Sequence, residues 1–257
     1  MPADRSVAPG RRPGAVVFDV DGTLVDSERH GHRPAFNDAF AEAALPYRWS
    51  EDAYADLVTT PGGRRRIREF LVGQGHPAEE AAALAVELHQ RKTEIFMDLA
   101  TAGRIPPRPG VARLLDELAD AGVPLGVATT GSRVWVEPLL DHLFGLARFE
   151  TVVAGDDVSA LKPDPSVYRE VLRRLGAAVG SVVVVEDSHA GVTAAVGAGL
   201  PCLAVVNDYT TGQDCGGAAL VVDGFGGPGR ARVLDGPDDL LDEGMVTVST
   251  LGRLTQT

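Results

Sequence analysis

The chain has 257 residues, 44% hydrophobic and 23% charged, enough for one sizeable domain or a domain plus a smaller insert. A formal charge of −12 and a pI near 4.9 argue against nucleic acid or an anionic membrane as partner. No apolar run approaches the roughly 20 residues that cross a bilayer, and the opening MPADRSVAPGRRPG lacks the apolar stretch of a secretory signal, so a cytoplasmic protein is expected. Cys202 and Cys215 form no CxxC pair and read as reduced bystanders.

Residues 1–13 are rich in Pro, Arg and small side chains and read as a flexible tail. AVVFD at 15–19 is a short apolar run ending in an acid, the pattern of a buried parallel strand. Similar runs follow at 124–129, 151–155, 182–187, 202–206 and 219–223. Helical patterns lie between several of them. VARLLDELADAG (111–122) and PSVYREVLRRLG (165–176) each place apolar residues three and four apart and stop at a glycine, and AGVTAAVGAG (190–199) suits a tightly packed helix. The alternation predicts an α/β fold with a doubly wound parallel sheet.

The stretch 30–104 is different, with helical periodicity and almost no strand signal. It predicts an inserted helical cap, leaving 14–29 and 105–223 as a discontinuous core. PRPG at 107–110 reads as a joint. From Gly224 the chain turns Gly- and Pro-rich and then acidic, an extension over 224–257 to which no role attaches. MVTVST within it is compatible with a short strand, and loose order is the other reading.

In an open parallel sheet, ligands bind outside the carboxyl ends of the strands, so the polar residues after each run are the candidates. The first run gives Asp19-Val20-Asp21-Gly22-Thr23. One carboxylate there can attack phosphorus and a second can protonate a leaving oxygen. The same residues are compatible with an Asx-turn. A calcium loop is disfavoured because Leu24 and Val25 follow where further oxygen ligands would be needed. The second run ends at Thr129 and Thr130, a hydroxyl pair suited to a phosphate oxygen or to a helix N-cap. Lys162, before Pro163, can offset charge on a carboxylate and a phosphoryl group, or be an ordinary surface lysine. Four valines then run into Glu186 and Asp187. Burying acids there is costly without a cation, and magnesium takes a few carboxylates plus water and phosphate; helix capping by Asp187 or Ser188 is the other reading.

DVDGTLVDSE, Thr129, LKPDP around Lys162 and VVEDSHAG around Asp187 resemble, in order, the four motifs of the haloacid dehalogenase-like hydrolase superfamily, from about Ala15 to Ala219. The resemblance implies a Rossmann-like core with a helical cap inserted after the first motif. It makes Asp19 the nucleophile and a magnesium ligand, and Asp21 the general acid/base that also lends its carbonyl to the metal. Thr129 and Lys162 would hold the phosphoryl group, Asp187 would ligate Mg2+, and Glu186 would support it. Within the superfamily, GHRPAFNDAF, PGGRRRIREF, HQRKTEIF, VATTGSR and NDYT look most like the CbbY-type sugar-phosphate phosphatases, a type associated with xylulose 1,5-bisphosphate. The family's usual lysine-glutamate-arginine after the paired glycines reads Arg64-Arg65-Arg66 here.

The implied partner is therefore a small phosphorylated sugar, bound by a chain expected to be a monomer. A bisphosphate needs a second cationic pocket, which Arg64, Arg66 and Lys92 could supply; His32 is a candidate contact to the sugar, and solvated charges on cap helices are the competing reading. A β-phosphoglucomutase-like mutase shares these motifs, and a non-catalytic binding protein is the remaining alternative.

Overall fold

A computed structural model describes residues 12–60 and 62–255, so most of the expected N-terminal tail lies outside the described residues. The chain divides into two compact units. One takes the residues up to Leu24 and from Pro107 onward; the other is Val25–Pro106.

The first unit is built on a seven-stranded sheet. Its strands are β1 (Ala15–Phe18), β2 (Leu125–Ala128), β3 (Thr151–Val153), β4 (Val182–Glu186), β5 (Cys202–Val205), β6 (Leu220–Val222) and β7 (Val233–Asp235), in the order β3-β2-β1-β4-β5-β6-β7. All neighbours are parallel except β6 and β7, which are antiparallel. The sheet is therefore Rossmann-like with one antiparallel edge strand. Register decides where the chemistry emerges: Phe18 sits opposite both Val127 and Val185. Asp19 thus leaves the sheet level with the ends of β2 and β4.

The second unit is helical: α1 (Arg33–Glu42), α2 (Glu51–Leu57), α3 (Gly63–Gly73) and α4 (Ala78–Thr101). Ser50 caps α2 by accepting from the Ala53 amide. The 24-residue α4 buries Ala81, Ala85, Leu88, Lys92, Ile95, Phe96 and Ala100, a stripe at three- and four-residue spacing. It packs against α1 and α3. Phe36, Phe40, Trp49 and Tyr54 form an aromatic core. Asn37 closes the loop beneath it, donating to the Trp49 carbonyl and accepting from the Trp49 amide.

The core helices are α5 (Val111–Asp120), α6 (Arg133–Phe144), α7 (Ser166–Leu175), α8 (His189–Gly197) and α9 (Val248–Leu254). One face of the sheet offers Ala15, Val17, Val182, Val184, Cys202 and Ala204 to Val167, Tyr168 and Val171 of α7 and to Val192, Ala194 and Ala195 of α8. The alternate residues Val16, Phe18, Val183, Val185, Leu203 and Val205 are buried too. On α5, Val111, Leu114, Leu115 and Leu118 are buried, and α9 packs against α5, β4 and β5. Cover on both faces explains why the strands read as unbroken apolar runs. Cys202 and Cys215 are both buried and unpaired.

The C-terminal segment corrects one expectation. MVTVST is not a strand: Val248 opens α9, because Thr247 accepts from the Thr250 amide while Thr250 Oγ1 accepts from the Thr247 amide. This reciprocal cap starts a helix, and Leu251 and Leu254, three apart, bury its inner side. The strand of this segment is β7, at 233–235. Leu251→Ala is expected to cost about 2–5 kcal/mol, read as a lower urea midpoint; an unchanged midpoint would mean that the segment is an appendage to the core.

Candidate active site

The residues that follow β1, β2 and β4, with Lys162, converge at the carboxyl ends of these neighbouring strands. The Asp19 amide still bonds Val185 O at 3.0 Å, so its position is set by the ladder. The chain then turns at Gly22, whose φ of +77° favours glycine. A Cβ at Gly22 would lie 2.3 Å from Asp187 Oδ2. The loop after β1 is thus pressed onto Asp187, which only a residue without a side chain permits.

Lys162 Nζ donates to Asp19 Oδ1 at 2.6 Å, to Glu186 Oε1 at 2.6 Å and to the Ala128 carbonyl at 2.9 Å. Its side chain is 6% exposed. It is a buried cation between two acids, not a surface lysine. Burial opposes its charge, but Asp19 and Glu186 raise its pKa above the ordinary lysine value. Burial pushes Asp19 up to about 7, with Lys162 pulling the other way and Glu186 and Asp21 adding repulsion. Asp187 is likewise raised, by burial first and then by Glu186 and Asp19, while Arg108 pulls it down.

Glu186 is fully buried and held from several sides. Tyr168 Oη donates to Oε1 at 2.6 Å, and the Asp187 amide donates to Oε2 at 3.1 Å. A Cβ on Gly191 would sit 1.9 Å from the Glu186 carboxyl carbon. Ser188 caps α8 by accepting from the Gly191 amide, so the capping role falls to Ser188. Asp187 Oδ2 accepts from Asn207 Nδ2 at 2.7 Å, and that amide nitrogen also donates to the Gly22 carbonyl at 3.1 Å.

Asp19, Glu186 and Asp187 each offer a carboxylate oxygen, all within 4.8 Å of one another. Three buried acids, two of them (Asp19 and Asp187) with raised pKa values, and one lysine between Asp19 and Glu186 leave an excess of negative charge. Hard oxygen donors in that setting fit a hard divalent cation. Asp21 is half-buried. Thr129 is buried, its amide bonded to Val153 O and its Oγ1 accepting from the Gly131 amide; Thr130 is exposed.

The other predicted residues belong to the helical unit. Lys92 falls on the buried stripe of α4, with Nζ donating to His32 Nδ1 at 2.7 Å. The ammonium lies 5.0 Å from the Phe36 ring centre and 4.8 Å from that of Phe96, and His32 stacks on Phe96 at 4.1 Å. Arg64 is exposed. Arg66 is buried and donates to Tyr54 Oη, Val58 O and Thr60 O, and Tyr54 Oη donates onward to Glu28. Its donors therefore serve the protein's own acceptors. The positive character is collective: burial lowers the pKa of His89, and Lys92, Arg64, His32 and Arg66 lower it further.

Sequence reasoning did not single out Tyr168, Asn207 or Arg108. Asn207 was reachable by the same rule as the others, since it directly follows the apolar run of β5. Tyr168 carries no such signal; it reads as one more core position of α7.

The family of haloacid dehalogenase-like hydrolases matches residues 13–199, and the chain belongs to it. It is 42% identical over 225 residues to protein CbbY of Cereibacter sphaeroides, covering 86% of this chain and 96% of that protein. A CBBY-like protein of Arabidopsis thaliana is 38% identical over 228 residues, 86% of this chain and 72% of that one. The crystal structure of a CbbY mutant from Rhodobacter sphaeroides in complex with xylulose-(1,5)bisphosphate superposes with a TM-score of 0.72 at 39% identity, covering 82% of this chain and 94% of that one.

Gly191→Ala drives a methyl group into the Glu186 carboxylate. It is expected to lower activity about 10- to 100-fold and stability by about 1–3 kcal/mol, read by phosphate release and thermal unfolding. Wild-type behaviour in both would show that Glu186 can move without consequence.

Proposed function

We propose that this chain is a magnesium-dependent phosphatase acting on a small sugar phosphate or bisphosphate, with xylulose 1,5-bisphosphate the first substrate to test. The carrying observation is Asp19, buried at the strand end, bonded to Lys162 and grouped with Glu186 and Asp187. Similarity to CbbY, whose structure holds xylulose-(1,5)bisphosphate, supports the substrate class. No helix among the described residues is long and apolar enough to cross a membrane.

Asp19 and Asp187, with Glu186 supporting them and the Asp21 carbonyl added, would hold Mg2+. When bound, the ion would supply charge neutralisation to the phosphoryl oxygens and keep Asp19 ionised against its burial. The substrate phosphoryl group lies between Asp19 and the cradle of Thr129, Thr130 and Lys162. An Asp19 carboxylate oxygen attacks phosphorus in line, and the bond from phosphorus to the sugar oxygen breaks. Asp21 gives its proton to that oxygen, leaving an aspartyl phosphate on Asp19. Asp21 next takes a proton from water, whose oxygen attacks phosphorus and frees Asp19 and inorganic phosphate. Lys162 holds charge in place throughout, so the barrier falls mainly through positioning and electrostatics.

In the helical unit, Lys92 and Arg64 supply cationic contacts for a second phosphate and His32 a contact to the sugar. Arg66 contributes chiefly its positive field, because its hydrogen bonds run to Tyr54, Val58 and Thr60.

Asp19→Asn is expected to abolish turnover, a loss of about 10⁴-fold or more for a covalent nucleophile, with the circular dichroism of the fold unchanged. Substantial residual activity in that variant would sink the assignment. Phosphate release should be measured with MgCl2 and with EDTA, across sugar mono- and bisphosphates that include xylulose 1,5-bisphosphate and glucose 1,6-bisphosphate. One pentulose bisphosphate is expected to dominate in magnesium and to be inert in EDTA. Interconversion of phosphosugars without free phosphate would instead make the chain a mutase.

A further inference from the structure

Arg108 follows directly after the point where the chain re-enters the first unit at Pro107. Arg108 is buried, at 9% exposure, and its guanidinium bonds three backbone carbonyls. Nη1 donates to Gly22 O at 2.6 Å and to Val205 O at 2.6 Å, and Nη2 donates to Val206 O at 2.8 Å. The planar group lies over the Phe225 ring at 5.6 Å, and the Arg108 amide bonds Leu24 O at 3.0 Å. One residue thus ties both ends of the 22–24 turn to the end of β5.

The placement of those carbonyls matters. Gly22 is the residue after Asp21, and its carbonyl also accepts from Asn207 Nδ2, which bonds Asp187 Oδ2. Asn207 itself follows Val205 and Val206, the other two acceptors. Arg108, Gly22, Asn207 and Asp187 therefore form one hydrogen-bonded chain. It runs from a buried cation to a candidate metal ligand and fixes the turn that carries Asp21 against the end of β4. A fork of rigid N–H groups can hold two loops in register at once; a lysine ammonium has charge without that planar geometry.

We propose that Arg108 is a positioning residue of the metal centre, holding the turn after β1 and the loop after β5 at the spacing that brings Asp19 and Asp21 to Asp187. The inference rests on the metal reading of the site given above. Arg108 reaches the site through its bond to Gly22 O and, beyond it, Asn207; the lysine variant, which keeps the charge, separates this from the electrostatic pull of Arg108 on Asp187.

The test is calorimetric titration of the full chain with MgCl2 alone, comparing wild type, Arg108→Gln and Arg108→Lys, each checked for folding by circular dichroism. Phosphate release against magnesium concentration gives a second readout. Arg108→Gln is expected to raise the dissociation constant for Mg2+ about 10-fold or more. Arg108→Lys, which keeps charge but not the fork, should raise it at least about threefold. In both, KM for the sugar phosphate at saturating magnesium should stay near the wild-type value, which a general loss of structure would not spare. If the glutamine variant does not fold, the lysine variant decides by the same threefold criterion. Wild-type chain that binds Mg2+ while the folded variants bind it equally well would overturn the role of Arg108 and leave the phosphatase reading standing. Wild-type chain that binds no Mg2+ would overturn both.

Discussion

Lys162 donates to Asp19, to Glu186 and to the carbonyl of Ala128, and the rest of the core site is arranged around that one ammonium. Carboxylates cannot be gathered in a low-dielectric pocket unless nearly every neighbour is a donor. That requirement accounts for the Tyr168 hydroxyl on Glu186 and the Asn207 amide on Asp187. It also accounts for the glycines at 22 and 191, where any side chain would occupy the space of an acid. Even so the balance stays negative: Asp19 and Asp187 are both held above their ordinary pKa values. A pocket in that condition stores affinity for an added positive charge.

The candidate residues of the helical unit have the opposite polarity. Lys92 lies on the apolar stripe of α4, flanked by the Phe36 and Phe96 rings and bonded to His32. A lysine on a buried stripe loses hydration, and the aromatic faces return only part of it. The depressed pKa of His89 records burial first and the surrounding cations second. In a chain of net charge −12, such a concentration of positive groups is a local specialisation. Arg66 differs in kind from Lys92: it anchors the turn at Val58 and Thr60 and reaches Glu28 through Tyr54.

Much of this was legible in the sequence because the rules involved are local. Apolar runs ending in polar residues marked β1 to β6 and with them Asp19, Thr129, Glu186 and Asp187; a lysine before proline marked Lys162. What escaped depended on tertiary distance. Arg108 was read as part of a chain joint, since nothing in PRPG says that its side chain reaches Val205. Tyr168 was hidden within a helix periodicity that any large apolar residue would satisfy. MVTVST alternates as a strand would, yet it is interrupted by a threonine cap whose reciprocal bonds outweigh β-propensity over so short a stretch. Lys92 and Arg66 were both picked out by charge, and both are buried over aromatic rings; what sets Arg66 apart, its bonds to the Val58 and Thr60 carbonyls, shows only in the structure.

The division of the chain at Leu24 and Pro107 also has a consequence for how the molecule is made. β1 lies in the interior of the sheet, between β2 and β4, yet it is synthesised first and its partners only after the whole helical unit. Val25–Pro106 is continuous in sequence and rich in neighbouring-helix contacts, so it can fold while still close to the ribosome. Throughout that interval the AVVF strand has no partner on either side, and closing the sheet requires contacts across more than a hundred residues. The core is therefore the late-folding part of the chain. Until β2 is synthesised the AVVF strand has neither sheet neighbour, the interval in which a chaperone would have most to protect.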